Sequence, residues 1–91
     1  MLHIIAYDIT NDGKRTKLAK ILLDYGDRVQ NSVFEADIEA REVNLIIRYA
    51  SDLVQDSDSL RIYPVCNACM RRLIVVGREN PDVPVGWVLI R

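Results

Sequence analysis

The sequence is short of the residues from which most small-domain chemistry is assembled. Its 91 residues include one histidine, two cysteines, one tryptophan and one phenylalanine, with four glycines and three prolines. A tetrahedral zinc site needs four ligands, and His3 lies far in sequence from Cys66 and Cys69. Gly13, Gly26, Gly77 and Gly86 are too scattered to form a phosphate-cradling loop. Long uncharged runs are missing too. The longest, Ile62 to Met70, is nine residues and contains Pro64, against the roughly 20 apolar residues that span a bilayer. The apolar start, Leu2 to Tyr7, is too short for a secretory signal and has no basic flank before it. No membrane association and a cytoplasmic location are therefore expected. An excess of one charge is also absent: 12 Lys and Arg against 13 Asp and Glu leave a net charge of −1. That argues against a polycation that coats nucleic acid by charge alone. There is no internal repeat and no low-complexity tract.

What is present is apolar content, at 49% of the chain. A chain of this length forms one domain, residues 1–91, with no room for a second core. Small domains leave much surface uncovered, so this much apolar residue predicts a further buried surface, most simply an oligomer interface. Charge is unevenly placed. Residues 13–34 carry Lys14, Arg15, Lys17, Lys20 and Arg28 against Asp24 and Asp27, a balance of +3. Residues 35–58 balance at −5, and the remainder returns to +3 through Arg61, Arg71, Arg72, Arg78 and Arg91. Such segments are either solvated faces or local phosphate-binding surfaces.

Leu2–Ile9 is apolar on both parities at Ile4, Ile5, Ala6 and Tyr7, as in a strand buried on both faces. Thr10-Asn11-Asp12-Gly13 reads as a turn that supplies helix caps. Lys14–Tyr25 follows helical spacing with a stripe of Leu18, Ile21, Leu22 and Tyr25, and Gly26 stands where a left-handed stop is expected. Arg28–Ala36 reads as a single second strand, interrupted by polar Gln30, Asn31 and Ser32 at a bulge or a working edge. Asp37 can cap a second helix with the stripe Val43, Ile46, Ile47, Ala50 and Val54. Ser57-Asp58-Ser59 breaks the chain before strands over Leu60–Val65 and Leu73–Gly77, joined by a turn through Cys66–Arg72. Pro81 and Pro84 punctuate a loop, and Gly86–Ile90 can form one more strand. Read literally, the order is β-α-β-α-β-β-β. One sheet with two amphipathic helices on one face is common to every reading, and its other face predicts a sheet-to-sheet homodimer.

Among polar residues Asp8 stands out, because it ends an otherwise apolar strand and its carboxylate needs water, a partner or a metal. It is either a wet residue capping the turn or a ligand for Mg²⁺ or Mn²⁺. Near a two-fold axis, two copies of Asp8 would meet and form a site suited to phosphodiester hydrolysis. Arg15 and Lys17 oppose the dipole at a helix start, which fits phosphate binding as well as a solvated face. Phe34 reads as core in preference to a base-stacking platform. Cys66-Asn67-Ala68-Cys69 reads as a pair of semi-buried small hydrophobes, with a metal clip shared between subunits as the main alternative; a redox pair is disfavoured, because thioredoxin-like motifs sit at a helix start after a strand in different surroundings. His3 is structural, and Tyr63 and Trp87 are packing residues, with Trp87 able to dock the tail on a partner.

Several words of the sequence occur together, in order and at consistent spacing. They are Tyr7-Asp8-Ile9-Thr10, Asp12, Lys14-Arg15, Lys17-Leu18-Ala19-Lys20, Tyr25-Gly26, Arg28-Val29-Gln30, Ser32-Val33-Phe34-Glu35 and Asp58-Ser59-Leu60-Arg61-Ile62-Tyr63. In these words the chain resembles the small CRISPR-associated endonuclease, the smaller member of the spacer-acquisition (adaptation) pair. The resemblance implies an α+β, ferredoxin-like βαββαβ domain that dimerises through its sheets, with an extra C-terminal strand and a tail, residues 79–91, added to the partner. It implies a metal-dependent endonuclease of single-stranded RNA or double-stranded DNA, with Asp8 as the catalytic and metal-binding aspartate around Mg²⁺, or Mn²⁺. Tyr7, Arg15, Lys17, Arg28 and Phe34 match the family's nucleic-acid-binding positions, and the larger integrase is the implied protein partner. Two departures are Asn11, where an acidic residue is usual, and Gly13 in the following turn. Competing readings are a non-catalytic DNA-binding scaffold between integrase dimers and a related ferredoxin-like toxin ribonuclease.

Overall fold

The computed structural model describes residues 1–72, 74–76 and 88–90. Expectations for Pro81, Pro84, Gly86 and Trp87 lie outside the described residues. The elements are β1 (Leu2–Asp8), α1 (Asp12–Leu23), β2 (Asp27–Gln30), β3 (Val33–Asp37), α2 (Ala40–Ser51), β4 (Ser59–Val65), α3 (Asn67–Met70), β5 (Ile74–Val76) and β6 (Val88–Ile90). The first four strands form an antiparallel sheet in the order β2-β3-β1-β4, which is the βαββαβ, ferredoxin-like arrangement. The literal β-α-β-α-β-β-β order is thereby corrected. The polar run Gln30-Asn31-Ser32 does not interrupt one strand; Gln30 ends β2 opposite Val33, Asn31 and Ser32 turn the chain into β3, and the register slips between Arg28 and Gln30. Asn and Ser suit a tight turn because their side chains hydrogen-bond local backbone.

Asn11 caps α1, its side chain accepting the Lys14 N–H at 2.9 Å, so this departure from an acidic residue keeps the cap intact. Gly26 is not left-handed, contrary to the stop expected there. It is small because β3 passes close by: a Cβ at Gly26 would lie 2.8 Å from Ala36 Cα and would press on the Glu35 carbonyl oxygen. The cap of α2 is Glu39, not Asp37. The chain stays extended through Ile38, whose side chain is buried in the core, and the Glu42 carboxylate accepts the Glu39 N–H at 3.1 Å.

Register assigns the faces. Ile5 sits between Phe34 and Ile62, and Tyr7 pairs with Leu60, on the side covered by the helices. There Ile5, Ile9, Leu18, Leu22, Phe34 and Ile46 are fully buried, each contributing about 1.5–3 kcal/mol. Ile47, counted in the expected α2 stripe, is exposed, and Leu53 beyond the helix end is buried in its stead. The opposite sheet face carries Ile4, Ala6 and Asp8 from β1, paired with Tyr63, Arg61 and Ser59 of β4, and Tyr63 is about half exposed. β5 and β6 form a separate parallel pair, Ile74 opposite Val88 and Val76 opposite Ile90.

Candidate functional site

Asp8 is exposed at the last position of central strand β1, opposite Ser59. The loop that follows is fastened from the far side by Asp58. Its carboxylate accepts the Thr10 N–H at 3.0 Å and the Gln55 N–H at 3.0 Å. The Thr10 and Gln55 amides, in that order, hold the Asp58 carboxyl below its ordinary range. Asp58 is thus a positioning residue for the Asp8 loop. Its family word was visible in the sequence, but a bond over 48 residues leaves no periodic signal.

On the helix side of the same strand end, Tyr7, Arg15, Lys20, Arg28, Asn31 and Ser32 line an open groove of about 660 Å³ between α1 and the β2–β3 hairpin. Tyr7 is clamped to the hairpin turn twice. Its N–H donates to the Ser32 carbonyl at 3.1 Å and its hydroxyl donates to the Asn31 carbonyl at 3.2 Å. Arg15 is aimed by two contacts, donating to the Ile9 carbonyl at 3.0 Å and pairing with Asp12. That tether orients a guanidinium beside the loop that leaves Asp8, while leaving it almost half exposed.

Phe34 is fully buried beneath this groove. Its ring stacks with Tyr7, centroids 6.2 Å apart, and the Arg28 guanidinium lies over it at 5.3 Å. Phe34 therefore reaches the groove only through Tyr7 and Arg28. Lys17 is exposed on α1 but does not line the groove; Lys20 does. Arg15, Ala19 and Leu23 recur at four-residue spacing with Lys20 alongside, a helical face that could have been read from the sequence.

Among the described residues, no three His, Cys, Asp or Glu side chains lie together as a metal-holding group. At the end of β1 the described residues offer Asp8 as the open carboxylate, since the neighbouring Asp58 is occupied by two amides. Hard divalent cations take carboxylate oxygens and keep waters, so Asp8 suits such an ion when a second copy supplies its own Asp8. Asp8 stands on the open sheet face, the side on which a second sheet can approach. That face also carries Glu35 opposite Asp27 in β2. Burial, and then the Asp27 charge, push the Glu35 carboxyl up. None of the helices among the described residues is long and apolar enough to cross a membrane.

Residues 1–73 match the family model of the CRISPR associated protein Cas2. The chain is 39% identical over 83 residues to the CRISPR-associated endoribonuclease Cas2 1 of Chloroflexus aurantiacus, covering 89% of each protein. It is similar to the crystal structure of Streptococcus pyogenes Cas2, with a TM-score of 0.73 and 30% identity, over 85% of this chain and 100% of that one. A chain of a partial Cas6-RT-Cas1–Cas2 complex is similar with a TM-score of 0.63 and 26% identity, over 92% of this chain and 88% of that one.

Proposed function

Because the chain belongs to the CRISPR-associated protein Cas2 family, we propose that it serves spacer acquisition as a metal-dependent endonuclease with Asp8 as its catalytic carboxylate. The observation that carries this reading is the placement of Asp8: exposed, at the end of the central strand, on the sheet face opposite the helix-packed core, with a cationic groove at the same strand end. Two protomers joined through that face bring two Asp8 carboxylates together, and Ile4, Ala6, Val33 and Tyr63 supply the apolar part of the contact. Val88–Ile90, the described part of the tail, pairs with Ile74–Val76 of its own chain, and this two-stranded unit would extend the partner's sheet in the same dimer. The two Asp8 carboxylates would hold Mg²⁺, or Mn²⁺, which when bound would supply Lewis-acid polarisation of a phosphodiester and a water of lowered pKa. Arg15, Lys20 and Arg28 neutralise backbone phosphates along the groove, with Lys17 adding charge beside it. Backbone contacts of this kind bind with little sequence preference and strong salt dependence. Phe34 serves binding by holding Tyr7 and Arg28 in place.

Single-stranded RNA is the favoured substrate, supported by relatives named endoribonucleases, with double-stranded DNA as the alternative. Purified protein incubated with each substrate and Mg²⁺ distinguishes them. Asp8→Asn is expected to lose at least about 100-fold in cleavage while eluting as the wild-type dimer. Equal cleavage by the variant overturns the assignment.

The similar chain in a complex with Cas1 supports a second role, as a scaffold that binds DNA and the larger integrase. In that role Asp8→Asn still supports spacer acquisition in cells, whereas Arg15→Glu with Arg28→Glu abolishes it.

A further inference from the structure

Cys66 and Cys69 take no part in the site described above. β4 pairs Val65 with Leu2 at one end and Ser59 with Asp8 at the other, so the cysteines lie about 20 Å along the strand from Asp8, at roughly 3.3 Å per residue. Both are exposed and free, correcting the expectation of semi-buried hydrophobes. Their sulfurs are 3.3 Å apart. The backbone fixes that approach: the Met70 N–H donates to the Cys66 carbonyl at 2.9 Å, and the Cys69 N–H donates to Cys66 Sγ at 3.4 Å. These are the only cysteines of the chain, so a bond within one chain has a single possible pairing.

We propose that Cys66 and Cys69 are a dithiol modification site, which closes to an intramolecular disulfide by exchange with a small-molecule disulfide of the glutathione class. The two thiols are unequal, which sets the order of events. The Cys69 amide and then its thiol hydrogen-bond Cys66 and hold its thiol below the ordinary range, while Cys66 pushes Cys69 up. Thiolate, not thiol, is the nucleophile. The Cys66 thiolate attacks one sulfur of the small disulfide, forming a mixed disulfide and releasing one small thiolate. Cys69 gives its proton to solvent, attacks Cys66 Sγ and expels the second small thiolate. The two cysteines lose two electrons and the small disulfide gains them, so one protein dithiol yields one protein disulfide and two small thiols. Closure ties the turn between β4 and β5 and leaves the Asp8 end untouched.

The test is intact-mass measurement of the reduced full chain after incubation with oxidised glutathione and alkylation with iodoacetamide. The wild type is expected to lose about 2 Da, to take no alkyl groups, and to recover both free thiols in dithiothreitol. Cys69→Ser is expected to accumulate a glutathione adduct on Cys66, several-fold faster than Cys66→Ser forms one on Cys69. Two alkylated thiols in the treated wild type, or a disulfide-linked pair of chains in place of the closed monomer, overturn the proposal.

Discussion

Phe34→Leu separates packing from base stacking at the groove. In the folded chain the ring is 0% exposed, stacked on Tyr7 and capped by the Arg28 guanidinium. Leucine keeps an apolar group of similar size, at a repacking cost under about 1.5 kcal/mol. Loss of the aromatic pair with Tyr7 adds about 0.5–1.5 kcal/mol. Loss of the exposed cation–π contact with Arg28 adds about 0.5–1 kcal/mol. The total is roughly 1–4 kcal/mol. In a domain of this size that lowers the melting temperature by roughly 4–32 °C. The assay pairs calorimetry with fluorescence anisotropy on single-stranded RNA, well below the variant's melting temperature. A ring that never meets the ligand leaves the Kd of folded protein within about fivefold of wild type, the change arising from a less ordered Arg28. A base stacked on Phe34 would instead cost about 1–3 kcal/mol, or roughly 5–150-fold in Kd. An unchanged melting temperature with a Kd raised beyond tenfold refutes the packing role.

Gly26→Ala places a methyl against the β3 backbone at Glu35 and Ala36 and is expected to destabilise by roughly 1–3 kcal/mol, read from urea unfolding. Glu35→Gln removes a half-buried like-charge pair with Asp27. Because the folded-state pKa is raised, the charged form is a penalty above that pKa and the penalty disappears as pH falls through it. The variant is therefore expected to be more stable than wild type at pH 7, by roughly 0.2–1 kcal/mol, and to have no advantage near pH 4. Asp58→Asn tests the converse sign. Its depressed pKa stabilises the fold above the unfolded carboxylate value and loses that effect as pH falls through the folded value. Thermal melts are expected to show a loss of stability at pH 7 that vanishes as pH falls through the folded-state value, together with reduced cleavage from a loosened Asp8 loop.

Much of the architecture was legible because it rests on local pattern. The α1 stripe of Leu18 and Leu22, the Asn11 cap and the two-faced apolar character of β1 are all statements about neighbours in sequence. The β2–β3 hairpin was not, because Gln30-Asn31-Ser32 suits a bulge as well as a turn, and only pairing with β1 distinguishes them. Ile47 and Leu53 exchanged places for a related reason: the helix ends before Leu53, and the chain folds it back under the sheet. Of the candidate site, Asp8 and Arg15 stood out by charge in an apolar or helical setting, and Arg28 was selected through the family likeness. Lys20 and Asp58 were missed as site residues, since one depends on which helix face meets the hairpin and the other on a hydrogen bond between distant segments. Phe34 was selected by family likeness, and burial decides how it acts.

The central claim, two Asp8 carboxylates serving one centre, is tested most directly by mixed dimers. Wild-type and Asp8→Asn protein, unfolded together in equal amounts and refolded, give homodimers and heterodimers in statistical proportion. If one centre needs both carboxylates, Mg²⁺-dependent cleavage of single-stranded RNA falls to about one quarter of the wild-type value. Activity of about one half, the value for independent sites in each chain, contradicts it.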